Sequence, residues 1–532
     1  MKKWMISMML IGLILVLSAC KSVKEYVIVV DEQLFSWPVT DNHRVYYEIF
    51  VGAFSDSNGD GMGDLNGLIN RLDYLNDGDP NSGKSLGIQG IWLMPIMKSP
   101  SYHKYDVADY QSIDSKYGTM QDFERLVEEA SKRGIDIIID LVINHTSIYH
   151  DWFKKAKQAV EQGDMTNPYV DYYTLVTEAT KEPGKTYYPF AKEFCYEGNF
   201  SSQMPELNMD SEHVRAEIVN ILQFWFGKGV HGFRLDATKY IYLNDTQRNI
   251  EFWNWFMDEV RKIKPDAYVV GETWSGDTLI APYYESFSNF DFGMSQSLGA
   301  IATTANGFDS VHSFVRYINS YRNLIESVNP NAILTPFISN HDMNRAAGYL
   351  PLVGHHMHMA ATLYLWTYGT PFLYYGEEIG LLGSRGTEQT DANRRLKMRW
   401  GDRDKVSDPI GSTFPEDRQV NGTVRSHLRD PNSLLNHYKK VIMIRNANPE
   451  IGRGFYTILD FSSFYYFGGF LSTYQNSTVG VFHNTGEEPI TVDLSQFTSQ
   501  RFSIVRGYAG KGSASLNGQI LTLDPMTSVV IK

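Results

Sequence analysis

Apolar positions along the chain fall into two textures, and the change between them divides it. Val45-Tyr-Tyr-Glu-Ile-Phe-Val51 is β-branched and aromatic-rich, which predicts a first strand. Gly90-Ile-Trp-Leu-Met94 stops at Pro95 and predicts a second. Between Gln121 and Arg133, Phe123, Leu126, Val127 and Ala130 recur at helical spacing, and Gly134 ends the run. Residues 135–143 are almost continuously apolar, as a strand covered on both faces must be. Strand, helix and strand in this order make a βαβ unit and hence a parallel sheet. Further strands are predicted at 268–272, near 289–292, at 332–338 and at 370–375. After about Asn446 the texture changes to short alternating runs, such as 477–482 and 519–523, separated by Gly, Asn and Pro. That pattern predicts an antiparallel β-sandwich.

Four segments end or interrupt apolar runs with an acid: Asp140-Leu-Val-Ile-Asn-His145, Gly232-Phe-Arg-Leu-Asp236, Gly271-Glu-Thr-Trp274 and Phe337-Ile-Ser-Asn-His-Asp342. A (β/α)8 barrel spends roughly 31 residues on each unit. Asp236 to Glu272 is 36 residues and Glu272 to Asp342 is 70, close to one unit and to two. Barrel strands aim their C-terminal ends into one cleft, so these three carboxylates are expected to meet at its mouth. Glycosidic bond cleavage needs such a group of acids. Asp236 lies 96 residues after Asp140, far more than one unit, which leaves room for an insertion. The expected fold is therefore α/β: a TIM barrel over residues 41–145 and 205–445, a small irregular subdomain inserted after strand three at 146–204, and the β-sandwich at 446–532.

The N-terminus has the organisation of a processing signal. Lys2 and Lys3 precede an apolar stretch from Trp4 to Val16, too short to cross a bilayer comfortably. Leu17-Ser-Ala-Cys20 follows and resembles the lipobox of bacterial lipoproteins, in which the cysteine is lipidated and becomes the mature N-terminus. Two acyl chains hold a protein stably on a membrane, whereas one does not. Residues 1–20 are expected to be removed or modified accordingly, and 21–40 to form a tether. Cys195 would then have no partner, so the fold must rely on its core or on metal rather than on a disulfide.

Composition adds three constraints. At 532 residues the chain exceeds the size of one core, so several domains are expected. A formal charge of −13 leaves no basic stripe for nucleic acid. Aromatic content of 14%, with 33 Tyr and 10 Trp, fits either core packing or the stacking of sugar rings.

With Gly90-Ile-Trp-Leu-Met-Pro95, Met204-Pro-Glu-Leu-Asn208 and Gly369-Thr-Pro-Phe-Leu-Tyr-Tyr-Gly-Glu377, the four segments make seven ordered motifs. Together they resemble the α-amylase family, glycoside hydrolase family 13, from about residue 43 to 445. The Met-Pro-Glu-Leu-Asn segment looks like the group intermediate between oligo-1,6-glucosidases and neopullulanases, where Met-Pro-Asp-Leu-Asn is usual. The resemblance implies retaining hydrolysis, with Asp236 as nucleophile, Glu272 as acid and base, and Asp342 as the third carboxylate. Arg234 would keep Asp236 ionised, and Trp274 would supply apolar surroundings to Glu272. His145, His341, Tyr105 and His103 match residues that contact the sugar, and Lys239 matches a lysine on the leaving-group side. Ala237 looks like members acting on α-1,4 bonds. The implied activity is internal hydrolysis of α-1,4 bonds in starch or maltodextrin; an exo-acting α-glucosidase, a neopullulanase or a glucanotransferase is the alternative.

Asp56-Ser-Asn-Gly-Asp-Gly-Met-Gly-Asp64 sets oxygen donors at alternate positions, the set that Ca2+ takes. It resembles the calcium loop after the first barrel strand, with Asp56, Asn58, Asp60, Asp64 and the Met62 carbonyl as ligands. A second family calcium site would use Asn144 and the Tyr240 carbonyl, where His is usual, and stays open. The implied partner is an α-glucan, with a monomer expected. Membrane contact would come only through the Cys20 lipid, on the extracellular or periplasmic side.

Overall fold

The computed structural model describes residues 25–29, 34–401, 404–419 and 421–532. Cys20 and the signal segment lie outside them. Parallel strands run in the order Tyr46–Ile49, Gly90–Leu93, Asp136–Leu141, Gly232–Leu235, Tyr268–Gly271 and Ser288–Asn289, each paired with the next, and Phe372–Tyr374 pairs with the first. The seventh position is filled by residues 335–337, joined to its neighbours through isolated parallel bridges, Phe290 to Thr335 and Phe337 to Phe372. Pro336 explains why no regular ladder forms there, since it has no N–H to donate. Its carbonyl still accepts from Phe372 N at 3.0 Å. The ring is closed, and the fold is the expected (β/α)8 barrel.

Aromatic side chains fill the barrel. Tyr46 stacks on Phe372 at 4.8 Å and on Tyr268 at 5.3 Å, and Trp92 packs against Phe290 at 5.5 Å. Gly90 leaves room for this filling, because a Cβ there would lie 2.4 Å from the Tyr46 ring. The predicted helix is Met120–Ser131, opened by a capping box between Thr119 and Asp122.

Residues 146–204 are more regular than expected. Helix Asp151–Gln162 starts on the His150 side chain and stops at Gly163, which takes the left-handed conformation at φ 81°. A three-stranded antiparallel sheet of Leu175–Val176, Tyr187–Ala191 and Phe194–Glu197 completes the insertion. Cys195 is buried there as a free thiol. After helices Leu434–Ala447 and Pro449–Arg453, a five-stranded and a three-stranded antiparallel sheet form the C-terminal β domain. Its core is separate, built on Phe461, Phe467, Phe482, Val492 and Leu521.

The segment expected to be a tether is not free over its described part. Tyr26 N donates to Leu428 O at 2.6 Å and Ile28 N to Gly83 O at 3.0 Å, while Ile28 and Leu34 are buried. Backbone hydrogen bonds and apolar burial hold this stretch against the barrel. No helix of the described residues is long and apolar enough to cross a membrane.

Candidate active site

Arg234 and Asp236 leave the fourth strand on the same side, as residues two apart must. Arg234 is fully buried. Its Nη1 donates to Asp140 Oδ1 at 2.8 Å and to Asp236 Oδ1 at 2.7 Å, and its Nη2 lies 2.9 Å from Glu272 Oε2. One guanidinium, lying 5.0 Å above the centre of Trp92, therefore gathers three carboxylates from three successive strands. Removing such a charge from water costs several kcal/mol, which the converging acids must offset.

Glu272 is positioned from both sides. Ala237, just past Asp236, adopts φ 49° and turns the chain sharply, so that its N–H reaches Glu272 Oε2 at 3.2 Å. Thr238 Oγ1 donates to the Glu272 carbonyl at 2.9 Å. Burial pushes the Glu272 carboxyl up to about 7; Arg234 opposes the rise and the Asp236 charge adds to it. Asp140 is pushed up to about 6 by the same burial, against Arg234 and with Asp236. Trp274 borders the same cavity but is 37% exposed and stacks on Phe292 at 5.2 Å.

Asp342 faces them across the mouth. Its Oδ1 accepts from Arg395 Nη2 at 2.7 Å, and Oδ2 lies 3.0 Å from His341 Nε2. Burial works against ionisation here, but the His341 charge and hydrogen bond and the Arg395 charge hold the carboxyl well below the usual range. His341 Nδ1 sits 2.5 Å from Glu48 Oε1. Burial would lower the imidazole, yet Asp342 and Glu48 raise it to about 9. Tyr105 joins the two halves, donating to Asp140 Oδ2 at 3.0 Å with its hydroxyl 2.6 Å from His341 Nε2.

The remaining predicted residues border the same cavity of about 510 Å³. His145 is buried with Nε2 3.1 Å from the Tyr105 carbonyl, and burial lowers its pKa. Burial also lowers His103, to about 4, and its Nδ1 accepts from Tyr105 N at 3.1 Å, which leaves Nε2 as the donor. Lys239 Nζ donates to the Trp274 carbonyl at 2.7 Å. A larger cavity of about 730 Å³ lies under the insertion. Tyr240 borders both, but Asp236, Glu272 and Asp342 line only the smaller one. Sequence reasoning gave no role to Glu48, Asp140 or Arg395, which the fold brings into contact with the predicted set.

The Asp56–Asp64 loop is closed by its own amides. Asp56 accepts from Asn58, Gly59 and Gly61 N–H groups, Asn58 Oδ1 from Asp60 N, and Asp60 Oδ1 from Met62 N. Asp64 differs from the other three because it is buried, caps helix Leu65–Ile69 through Gly67 N at 2.7 Å, and accepts from Ser57. Among the described residues no three His, Cys, Asp or Glu side chains converge as a metal cluster. Asn144, raised for the second site, donates its Nδ2 to Glu206, while its buried Oδ1 accepts no hydrogen bond from the described residues.

Residues 48–454 match the family profile described as the alpha amylase catalytic domain. The chain belongs to the alpha-amylase family. It is 40% identical over 406 residues to alpha-amylase 3 of Dictyoglomus thermophilum, covering 76% of this chain and 77% of that one. An oligo-1,6-glucosidase of Parageobacillus thermoglucosidasius is 29% identical over 78% of this chain and 85% of its own length. Among solved structures, Amy13B of Eubacterium rectale superposes with a TM-score of 0.87 at 37% identity, covering 95% of this chain and 99% of that one. This alpha-amylase family member is thus a glycoside hydrolase by family, and the acids described above lie near or beyond the C-terminal ends of its barrel strands.

Proposed function

We propose that the protein hydrolyses internal α-1,4-glucosidic bonds of starch and maltodextrins with retention of configuration. One observation supports the retaining chemistry in this reading: Arg234 holds Asp236 and Glu272 together while burial raises Glu272 to about 7. Retaining hydrolysis needs one ionised and one protonated carboxyl on either side of the bond. Asp236 attacks the anomeric carbon as Glu272 gives its proton to the leaving oxygen. The β-glycosyl-enzyme forms and the glycosidic C–O bond breaks. Glu272, now a carboxylate, takes a proton from water, which attacks the same carbon and frees Asp236. The sugar leaves with its configuration retained, and Glu272 is protonated again. Proton transfer by a positioned group supplies roughly 10²- to 10⁴-fold of the rate.

Asp342, kept ionised by His341 and Arg395, holds sugar hydroxyls at the cleaved unit. Tyr105, His145 and His103 flank the same unit, and Lys239 lies on the leaving-group side. Calcium would be held by Asp56, Asn58, Asp60, Asp64 and the Met62 carbonyl; this oxygen-only donor set suits a hard cation, which would brace the loop after strand one. Lipid on Cys20 would hold a monomer on the outer face of the cell membrane.

Replacing Asp236 with Asn is expected to abolish turnover while the circular dichroism spectrum stays unchanged; near-normal activity would refute the nucleophile. A product time course on amylose and on an end-blocked maltooligosaccharide tests internal cutting. Mixed lengths from the start, with the blocked substrate accepted, support it; an exo-acting α-glucosidase stalls on the block.

A further inference from the structure

The strap before the first strand carries a surface that the cleft does not use. Phe35 and Trp37 pack edge to face at 5.2 Å, yet they are 51% and 75% exposed, and Val29 is 80% exposed. Two adjoining aromatic side chains left this open on a segment that is itself fixed mark a candidate contact surface. The strap is fixed at several points. Ser36 N donates to Asn81 Oδ1 at 2.8 Å, Asn81 Nδ2 donates back to Ser36 O at 3.0 Å, and Arg44 Nη1 holds Val39 O at 2.8 Å. Gly83 is required for the docking, since a Cβ there would meet the Ile28 carbonyl at 1.9 Å.

Its place on the barrel sets the direction. Trp37 shares a cavity of about 230 Å³ with Gln89, directly before the second strand, and Gly134, two residues before the third. The strap therefore covers the N-terminal end of the barrel, opposite the mouth that holds Asp236, Glu272 and Asp342. Cys20 is only five residues before Glu25. Five residues reach at most ~18 Å when fully extended.

We propose that Phe35 and Trp37 form an interfacial foot that rests on the lipid bilayer and points the catalytic mouth away from it. This inference rests on the reading of Cys20 as the lipidated residue. A diacyl anchor alone leaves the barrel free to tumble on a short leash. An exposed Trp and Phe on the docked strap that follows that leash supply the side chains that settle at the boundary between headgroups and acyl chains. Anchoring makes their insertion an intramolecular event at high effective concentration, so a small contact suffices. The foot fixes an orientation in which a polysaccharide approaching from outside meets the open cleft.

The test uses the full chain, purified from membranes and reconstituted in phosphatidylethanolamine and phosphatidylglycerol vesicles containing phospholipid brominated at shallow acyl positions. Bromine quenches nearby tryptophan fluorescence, and the difference between the wild type and Trp37→Phe isolates one residue among the nine that remain once Trp4 leaves with the signal segment. Quenching present in the wild type and lost in Trp37→Phe is the expected result, with equal hydrolysis of a soluble maltooligosaccharide by both. Equal quenching of the two proteins overturns the inference. So does concentration-dependent burial of Trp37 without vesicles, which would assign the face to a second copy. Detergent phase partition reads the anchor separately: a Cys20→Ser protein that partitions like the wild type refutes the lipid, whatever Trp37 does.

Discussion

The Nη2 of Arg234 lies 2.9 Å from Oε2 of Glu272, while Nη1 of the same guanidinium binds Asp236 at 2.7 Å. A single buried cation thus sets the spacing of the two carboxyls. Arg234→Gln leaves Asp140, Asp236 and Glu272 without their shared partner. The expected cost is about 3–5 kcal/mol of stability, as for other broken buried ion pairs, together with loss of activity. Arg234→Lys keeps the charge but lacks the planar fork, so it should retain more stability than activity. Denaturant melts beside kcat/KM check both, and a Lys variant of full activity would mean that the fork does not position the acids.

The raised Glu272 gives the pH profile a sign. In the proposed mechanism protonated Glu272 is the form that donates, so kcat/KM is expected to fall as pH rises through about 7. Because its folded value lies above the unfolded one, the same group favours the folded state fully below about 4.5, and that contribution is lost as pH rises through about 7. Glu272→Gln should lose the alkaline limb along with most activity. A glycosyl fluoride, whose leaving group needs no proton, should restore the first step in that variant. An alkaline limb that survives in Glu272→Gln belongs to another group.

Asp236 and Glu272 were legible because each ends a strand whose apolar run is visible locally, and barrel geometry does the rest. Asp140 stood inside a quoted segment, but its partnership with Arg234 spans 94 residues and has no local signature. Glu48 meets His341 across 293 residues, and Arg395 reaches Asp342 from a stretch without regular periodicity. The seventh strand was legible as an apolar run but not as a ladder, since Pro336 breaks the pairing. The strap read as a tether because its composition shows no partner; its docking depends on Gly83 and Asn81, which lie far along the chain.

His341 is raised to about 9 through Asp342 and Glu48 against the effect of burial. A group that binds its proton more tightly when folded stabilises fully below its unfolded value of 6.5, and the contribution is lost as pH rises through about 9. Glu48→Gln removes one of the two acids without removing the acceptor oxygen. The His341 imidazole should then titrate at lower pH, read by NMR of ring-labelled histidine, and KM should rise more than kcat falls. An unshifted titration would show that Asp342 alone holds the proton.

The calcium proposed for the Asp56 loop makes a prediction that separates charge from turn geometry. Binding to the folded state alone adds about 2.7 kcal/mol when free calcium is 100 times the Kd, so a chelator should lower the melting temperature. Asp60 Oδ1 already accepts from Met62 N at 2.8 Å, and Asn at this position keeps that acceptor while removing the charge. Asp60→Asn is therefore expected to melt near the chelated wild type and to respond little to added calcium. Melting curves for both proteins, with and without chelator, decide it. A wild type indifferent to the chelator would mean that the loop's own amides, which already occupy Asp56, Asn58 and Asp60, are sufficient to hold it.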